Sequence, residues 1–309
     1  KKILITGANS YIGTSLEKWL RNYSNKYKVD TVNMKDDLWK EKKFSEFDVV
    51  LHVAGIAHVR ETIGNQNLYY KVNRDLACET AQNAKEDGVK QFIFLSSMSV
   101  YGIENGVIDK NTPLKPNSAY GKSKIEAEEQ INKLQDNSFN VAILRPPMVY
   151  GKDCRGNYPR LARLALRTPI FPKVDSKRSM IYIDNLSEFV KQLIDNQSSG
   201  LFFPQNAEYV NASEMVKLIA KANGKRVVMT KLFNPLLKLL NVSTVNKVFG
   251  DLVYEMSMSE YESDYRIYGF KESIINTELR NRLYEEGAFC SNSCKITYHG
   301  ISYTLFRMV

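Results

Sequence analysis

Ile3-Leu4-Ile5-Thr6-Gly7-Ala8-Asn9-Ser10-Tyr11-Ile12-Gly13 stands near the start of the chain. Ile3 to Thr6 is apolar or β-branched and reads as a strand. From Tyr11 to Asn22 the spacing is helical, with Ile12, Leu16, Trp19 and Leu20 on one face. Strand, glycine turn and helix in this order aim backbone N–H groups at a pyrophosphate. Gly7 permits the tight turn, and Gly13 lets the helix pack closely on the strand. The middle position of the usual glycine fingerprint is Ser10, small enough to approach a phosphate and able to donate a hydrogen bond. Such a turn alone is as often structural as functional.

The same rhythm continues outward. Lys28–Asn33, Asp48–Val53, Gln91–Ser96 and Asn140–Leu144 read as strands. Val72–Asp87, closed by Gly88, and Ser118–Gln135 read as helices. Strands separated by helices imply an α/β fold, a Rossmann-type doubly wound parallel sheet with a smaller C-terminal lobe. We expect a dinucleotide-binding unit over 1–150, a substrate lobe over 151–277 that returns to the sheet, and a variable tail over 278–309. Residues 152–178 suggest loops wrapping a ligand. Asn185–Asp195 reads as a helix, 201–204 as a strand, and Ser213–Ala222 as a helix begun by a serine cap. Lys231–Phe249 is apolar and helical in period despite Pro235.

Composition narrows the function. The 309 residues are 43% hydrophobic and 25% charged, which argues against a disordered chain or a coiled coil. No apolar run has transmembrane length, and the apolar part of the N-terminus is too short for a signal peptide, so we expect a cytoplasmic protein without stable membrane insertion. A net charge of +9 suits anionic ligands. Short, acid-interrupted clusters such as Lys40-Glu41-Lys42-Lys43 argue against nucleic acid as a partner. Cys78, Cys154, Cys290 and Cys294 form no disulfide framework, and His299 alone beside the last two makes no zinc site.

Two further motifs carry chemistry. In Tyr120-Gly-Lys-Ser-Lys124 a phenol and an ammonium share one helix face, where the ammonium stabilises phenolate and can hold a ribose hydroxyl. Ser96-Ser97-Met98-Ser99-Val100-Tyr101-Gly102 ends the preceding strand, at the sheet edge where ligands bind. A hydroxyl there can bond a substrate oxygen beside Tyr120. His52 reads as a strand residue, His58 as a loop residue, and Tyr101 and Cys154 as packing.

With these three elements the chain resembles the extended short-chain dehydrogenases/reductases that act on nucleotide sugars, over roughly residues 2–277. The resemblance rests on Gly7–Gly13, Asp48-Val-Val-Leu-His-Val-Ala54, Val72-Asn73-Arg74, Ser97, Tyr120/Lys124, Arg145-Pro-Pro-Met-Val-Tyr-Gly151 and Lys177-Arg178-Ser-Met-Ile-Tyr-Ile-Asp184. It implies Ser97, Tyr120 and Lys124 as catalytic residues. It implies NAD, with NADP open, held by Gly7, Asn9, Ser10, Tyr11, Ile12, Gly13, Asn33, Leu38, Val53, Ala54, Gly55, Asn73 and Lys124. It implies a UDP-sugar substrate at Ser97, Met148, Asn157 and Arg178. A homodimer through a bundle containing the Tyr-x-x-x-Lys helix is a further implication. Cys154, Gly156, Asn157 and Tyr158 bring the chain nearest to a branch found in capsule and O-antigen biosynthesis, described as UDP-sugar 4-epimerases or 4-ketoreductases.

Three departures refine the expectation. Met98 and Ser99 stand where dehydratases of the family place Asp-Glu, which argues against a 4,6-dehydratase. Asn33, with Lys35 nearby, stands where an acid usually binds the adenosine ribose, so NAD and NADP both stay open. Met148 stands where many epimerases place a substrate-contacting asparagine. The expected activity is 4-epimerisation through transient oxidation at C4. A 4-ketoreductase using the same residues is the alternative, and a non-catalytic dinucleotide-binding regulator is a second.

Overall fold

The computed structural model describes residues 1–57, 59–232, 234, 250–285, 293–298 and 301–306, with side chains as far as Leu279. Six parallel strands form the central sheet. They are β1 (Lys2–Thr6), β2 (Lys28–Val32), β3 (Val49–His52), β4 (Gln91–Leu95), β6 (Asn140–Leu144) and β10 (Gly200–Phe202), in the order β10-β6-β4-β3-β1-β2. The chain reverses direction across the sheet between β1 and β3, and ligands of such sheets bind outside the strand ends at that reversal. Between β2 and β3 the chain makes only two 3-10 turns, Asp37–Glu41 and Phe44–Glu46.

Strand alternation sorts the core into two layers. Ile3, Ile5, Val49, Leu51 and Ile93 face α1 (Tyr11–Arg21) and α6 (Ile183–Asn196). Leu4, Val50, Phe92 and Phe94 face α3 (Leu76–Glu86) and α4 (Ala119–Asn132). The long apolar runs of the strands follow from burial on both faces.

Several expectations need correction. The helix expected from Val72 begins earlier: α2 (Gln66–Tyr69) runs through a π-helical segment, Tyr70–Asp75, into α3. Residues 152–178 are not only loop. They hold α5 (Asn157–Arg167) and β8 (Ile170–Pro172), and Leu161 and Ala165 seat α5 on the core. The helix expected from Ser213 is α7 (Ala212–Ala222), and its cap is Asn211, whose side chain accepts the Glu214 N–H at 3.0 Å. Ser213 Oγ instead donates to the Pro172 carbonyl at 2.8 Å.

The lobe is stitched by short parallel pairs. β7 (Met148–Tyr150) pairs with β9 (Met180–Tyr182), and β8 pairs with β11 (Val228–Thr230). β5 (Gly106–Ile108) pairs with β12 (Leu252–Tyr254). The helix α8 (Phe270–Glu285) runs across residue 277, and an antiparallel hairpin follows, β13 (Ser293–Tyr298) with β14 (Ile301–Phe306). The helix expected over Lys231–Phe249 lies almost wholly outside the described residues. Among the described residues no helix is long and apolar enough to cross a membrane.

Sheet, α4 and lobe meet at one buried ion pair. Arg145 is 5% and Glu128 4% exposed. The Arg145 Nη2 donates to Glu128 Oε2 at 2.6 Å, and Nε reaches both carboxylate oxygens at 3.1 Å. Removing one partner strands a buried charge. Arg145→Met should therefore cost about 3–5 kcal/mol in urea unfolding, and pairing it with Glu128→Leu should recover much of that loss.

Candidate active site

The glycine turn forms as its sequence dictates. The Gly7 and Ala8 N–H groups donate to the Val32 carbonyl at 2.9 and 3.0 Å. Gly7 has φ +95°, and a Cβ there would meet the Ala54 backbone at 2.9 Å. No side chain fits, so β1 and the end of β3 close together. Ser10 caps α1 by accepting the Gly13 N–H at 3.1 Å, and its own hydroxyl proton is left to give. The N–H groups of Tyr11 and Ile12, in the first helical turn, have no intrahelical acceptor. The Tyr11 side chain turns away, with its hydroxyl buried near Gly151; burial pushes that phenol above its usual range.

The far wall carries Gly55, Asn73 and Lys124. A Cβ on Gly55 would stand 2.9 Å from Asn73 Oδ1 and 3.5 Å from Lys124 Nζ. Asn73, fully buried on the π segment, accepts the Ile56 N–H at 2.9 Å and donates to the Ile56 carbonyl at 3.1 Å. The extra residue that a π turn carries re-aims a side chain, and here it carries Asn73. Asn33, exposed after β2, accepts the Lys35 N–H at 3.2 Å. Leu38 stands 66% exposed in the 3-10 turn beyond it. Gly7, Gly13, Val53, Ala54, Gly55, Asn73 and Lys124 thus converge on the strand ends at the β1/β3 reversal. A floor without side chains beneath uncapped helix N–H groups fits a dinucleotide.

Ser97 starts a 3-10 turn after β4, Met98–Tyr101. Its hydroxyl accepts from the Ser99 N–H at 3.2 Å and the Ser99 hydroxyl at 2.9 Å. The Met98 N–H donates to the Pro146 carbonyl at 3.1 Å, tying this turn to the approach to β7. Tyr120 lies on the first turn of α4, which Ser118 caps from Gly121 N–H at 3.1 Å. A Cβ on Gly121 would stand 2.7 Å from the Ser99 carbonyl. Only glycine lets α4 sit that close, and closeness brings the Tyr120 phenol near enough for the Ser97 hydroxyl to act on its titration.

Electrostatics amend one expectation. The Tyr120 phenol is raised, not lowered: burial raises it, the Ser97 hydrogen bond opposes that, and Tyr69 adds to it. Burial pushes the Lys124 ammonium down to about 8, with Glu128 opposing. Lys124 Nζ donates to the Leu95 carbonyl at 2.7 Å and lies 4.7 Å over the Phe94 ring. His52 is a buried strand residue bonded to Thr6 Oγ1 through Nδ1 at 2.8 Å. Burial, then the Lys124 charge, lower it to about 3, so it stays neutral. His58 lies outside the described residues. Among those described, no group of three or more His, Cys, Asp or Glu is arranged to hold a metal.

The expected substrate residues gather farther out. Met148, Asn157 and Arg178 line one small cavity, walled by Leu161, Met180 and Met215. Asn157 opens α5, whose cap residue Gly156 offers no side chain to the first-turn N–H groups. Arg178 Nη1 donates to the Gly250 carbonyl at 3.0 Å. Burial lowers its guanidinium, while Asp251 and Glu104 oppose the shift. A larger cavity, about 540 Å³, opens on another face of α5, by Cys154, Arg163, Arg167 and Glu278.

Sequence reasoning missed several supports. Ser99 orients Ser97. Glu61 accepts the Ala119 N–H at 2.9 Å and anchors the α4 N-terminus. Tyr69 meets the Tyr120 ring edge-on at 6.3 Å. Glu128, four residues after Lys124, was the one legible from spacing.

Together, a dinucleotide cradle on a doubly wound sheet with serine, tyrosine and lysine at its rim defines the extended short-chain dehydrogenase/reductase class. Residues 3–202 match the NAD dependent epimerase/dehydratase family, and the chain belongs to that family. It is 32% identical over 256 residues to the UDP-glucose 4-epimerase of Vibrio cholerae, covering 73% of this chain and 76% of that one. It is 27% identical over 253 residues to the N-acetyl-alpha-D-glucosaminyl-diphospho-ditrans,octacis-undecaprenol 4-epimerase of Escherichia coli O157:H7, covering 76% of each. Among solved structures, the Thermus thermophilus UDP-glucose 4-epimerase with NAD superposes with a TM-score of 0.70 at 18% identity, over 90% of this chain and 99% of that one. A dTDP-4-dehydrorhamnose reductase from Clostridium acetobutylicum superposes with a TM-score of 0.71 at 21% identity, over 91% and 100%. These two likenesses speak to the fold.

Two outcomes test the geometry. Gly121→Ala should push α4 off the Ser97 turn, costing about 1–3 kcal/mol in urea unfolding and slowing turnover by ~10-fold or more. Lys124 is the second. Its folded pKa, about 8, lies below the ordinary 10.5. The native state therefore binds fewer protons than the unfolded state between those values, and stability rises with pH across that window. Lys124→Met should raise the calorimetric Tm at pH 7 by several degrees, about 1–2 kcal/mol, with the gain shrinking toward pH 10.

Proposed function

We propose that this chain is a 4-epimerase of diphosphate-linked hexoses, of the UDP-glucose or UDP-N-acetylhexosamine type, serving surface polysaccharide biosynthesis with NAD. The observation that carries the reading is the placement of Tyr120, on the first turn of α4 that Gly121 packs against the Ser97 turn, with Lys124 one helical turn on, at the rim of the Gly7–Gly55 cradle. Bound there by Gly7, Ser10, Ile12, Gly13, Asn73 and Lys124, NAD supplies reversible hydride acceptance at C4 of the sugar.

The protein's own residues move and steady the proton. Tyr120 takes the proton of the 4-hydroxyl and returns it when the alcohol reforms. Ser97 donates a hydrogen bond to the same oxygen as its charge changes. Lys124, as ammonium, holds a ribose hydroxyl. Arg178 and the first turn of α5 at Asn157 grip the diphosphate, a task suited to a guanidinium fork and a helix N-terminus. The two relatives differ in carrier: a nucleotide for the Vibrio enzyme, a diphospho-undecaprenol for the Escherichia enzyme. Arg178 and Asn157 address the diphosphate common to both.

The first test is the dinucleotide released when purified protein is denatured. Tightly held NAD, present without addition, supports an epimerase that recycles its own hydride. An empty site that takes NADPH and oxidises it only with a 4-keto-6-deoxy sugar overturns the reading in favour of a reductase. Tyr120→Phe should lower kcat by about 10²–10⁴-fold with dinucleotide binding unchanged. Arg178→Ala should raise KM for a UDP-sugar by about 10–100-fold with kcat nearly kept. Turnover of the wild type should fall on the alkaline side near pH 8 as Lys124 loses its proton. That limb should leave the measurable range in Lys124→Arg, because guanidinium does not titrate there.

A further inference from the structure

The positive charge of this chain is concentrated. Two stretches, 159–174 and 220–249, carry ten Lys and Arg and no Asp or Glu. The other 33 basic residues are outnumbered by the chain's 34 acidic ones. The fold brings the first stretch against residues 225–230 of the second. Val228 of β11 pairs with Ile170 of β8, the Val228 N–H donates to the Pro169 carbonyl at 2.8 Å, and Lys225 Nζ donates to the Leu166 carbonyl at 2.7 Å. Arg160, Arg163 and Arg167 are exposed along α5, three and four residues apart, and Arg226 is exposed beyond them.

Aliphatic side chains stand exposed in the same patch. Leu232 is 83%, Val228 63%, Ile170 48% and Leu164 43% exposed. The sequence after Leu232 continues in apolar residues with Lys238 and Lys247. Nucleic acid would complement the charge and leave the aliphatics in water. An anionic bilayer surface complements both, since basic side chains meet the headgroups while short apolar groups enter the interface.

We infer that this face docks on an anionic membrane surface, and that the site behind it works on a sugar diphosphate held by a lipid. The docking stands on the surface alone, whereas the lipid carrier rests on the epimerase reading above. The geometry suits that carrier. α5 has 11 residues, about 16 Å of rise. Its first residue, Asn157, lines the cavity with Arg178, and its last, Arg167, lies in the basic face. The diphosphate grip therefore stands about one short helix from the headgroups.

The experiment is flotation of the full chain with phosphatidylcholine vesicles, with and without phosphatidylglycerol. The expected result is binding only to the anionic vesicles, weakened by salt. Arg160→Gln, Arg163→Gln, Arg167→Gln and Arg226→Gln combined should weaken it by about 100-fold. Leu232→Ser should weaken it several-fold, with turnover of a soluble UDP-sugar unchanged in both variants. No binding at low salt, variants that float like the wild type, or tighter binding to duplex DNA than to vesicles overturns the docking. A wild type that floats but turns over neither a UDP-sugar nor a prenyl-diphosphate sugar leaves the surface standing and overturns the epimerase reading. Equal turnover of a prenyl-diphosphate sugar by wild type and quadruple variant on anionic vesicles overturns the link between docking and substrate.

Discussion

Glu128 and Arg145 form the contact on which the site depends. Glu128 lies one helical turn beyond Lys124 on α4, and Arg145 follows β6 at the edge where ligands bind. The Ser96 hydroxyl, one residue before Ser97, also donates to Glu128. Arg145 Nη1 donates to the Tyr101 hydroxyl at 3.0 Å, and the Tyr254 hydroxyl of β12 donates to the Arg145 carbonyl at 2.9 Å. One pair thus couples the helix carrying Tyr120, the turn carrying Ser97, and the lobe carrying Arg178. A buried ion pair adds little net stability against an apolar substitute, but its hydrogen bonds admit few alternative arrangements. In this protein that restriction holds three separate chain segments in one register.

Burial then divides the work among the titratable groups. His52, wedged beneath the cradle between Phe92 and Phe94, stays neutral and adds no charge to the strand ends. Lys124 is buried enough to titrate near neutral pH, and one carbonyl and one aromatic face hold it. Tyr120 keeps its proton in the ligand-free protein, because burial outweighs Ser97. The base role proposed for Tyr120 therefore depends on charge brought close on binding. The expectation from spacing alone, that the lysine four residues on lowers the phenol, overlooks how strongly the surroundings desolvate both groups.

Much of the site was legible before the fold, for reasons that differ by residue. Gly7, Gly13, Tyr120 and Lys124 announce themselves because their spacing is local. A tight turn, a close helix and a shared helix face are each specified within a few residues. Asn73 was legible only by resemblance, since its register depends on a π turn that periodicity at 3.6 residues does not reveal. α5 was read as loop because glycine, proline and basic residues mask its buried stripe of Tyr158, Leu161 and Ala165. The α7 cap falls on Asn211 rather than Ser213 because the path of the 172–176 backbone takes the Ser213 hydroxyl and the Asn211 amide, which spacing along the helix does not reveal.

The sequence by itself determined the doubly wound sheet, the glycine turn between β1 and α1, and the candidate serine, tyrosine and lysine near it. Those features follow from strand and helix periods and from glycines whose role is local. Tertiary structure decided the rest. It set the direction of the Tyr120 shift, closed α4 onto the Ser97 turn through Gly121, joined Met148, Asn157 and Arg178 around one cavity, and set Lys225 and Arg226 beside the end of basic α5. Each of these depends on distances between residues far apart in the chain. Burial and Coulomb energy act through those distances, and no local spacing encodes them.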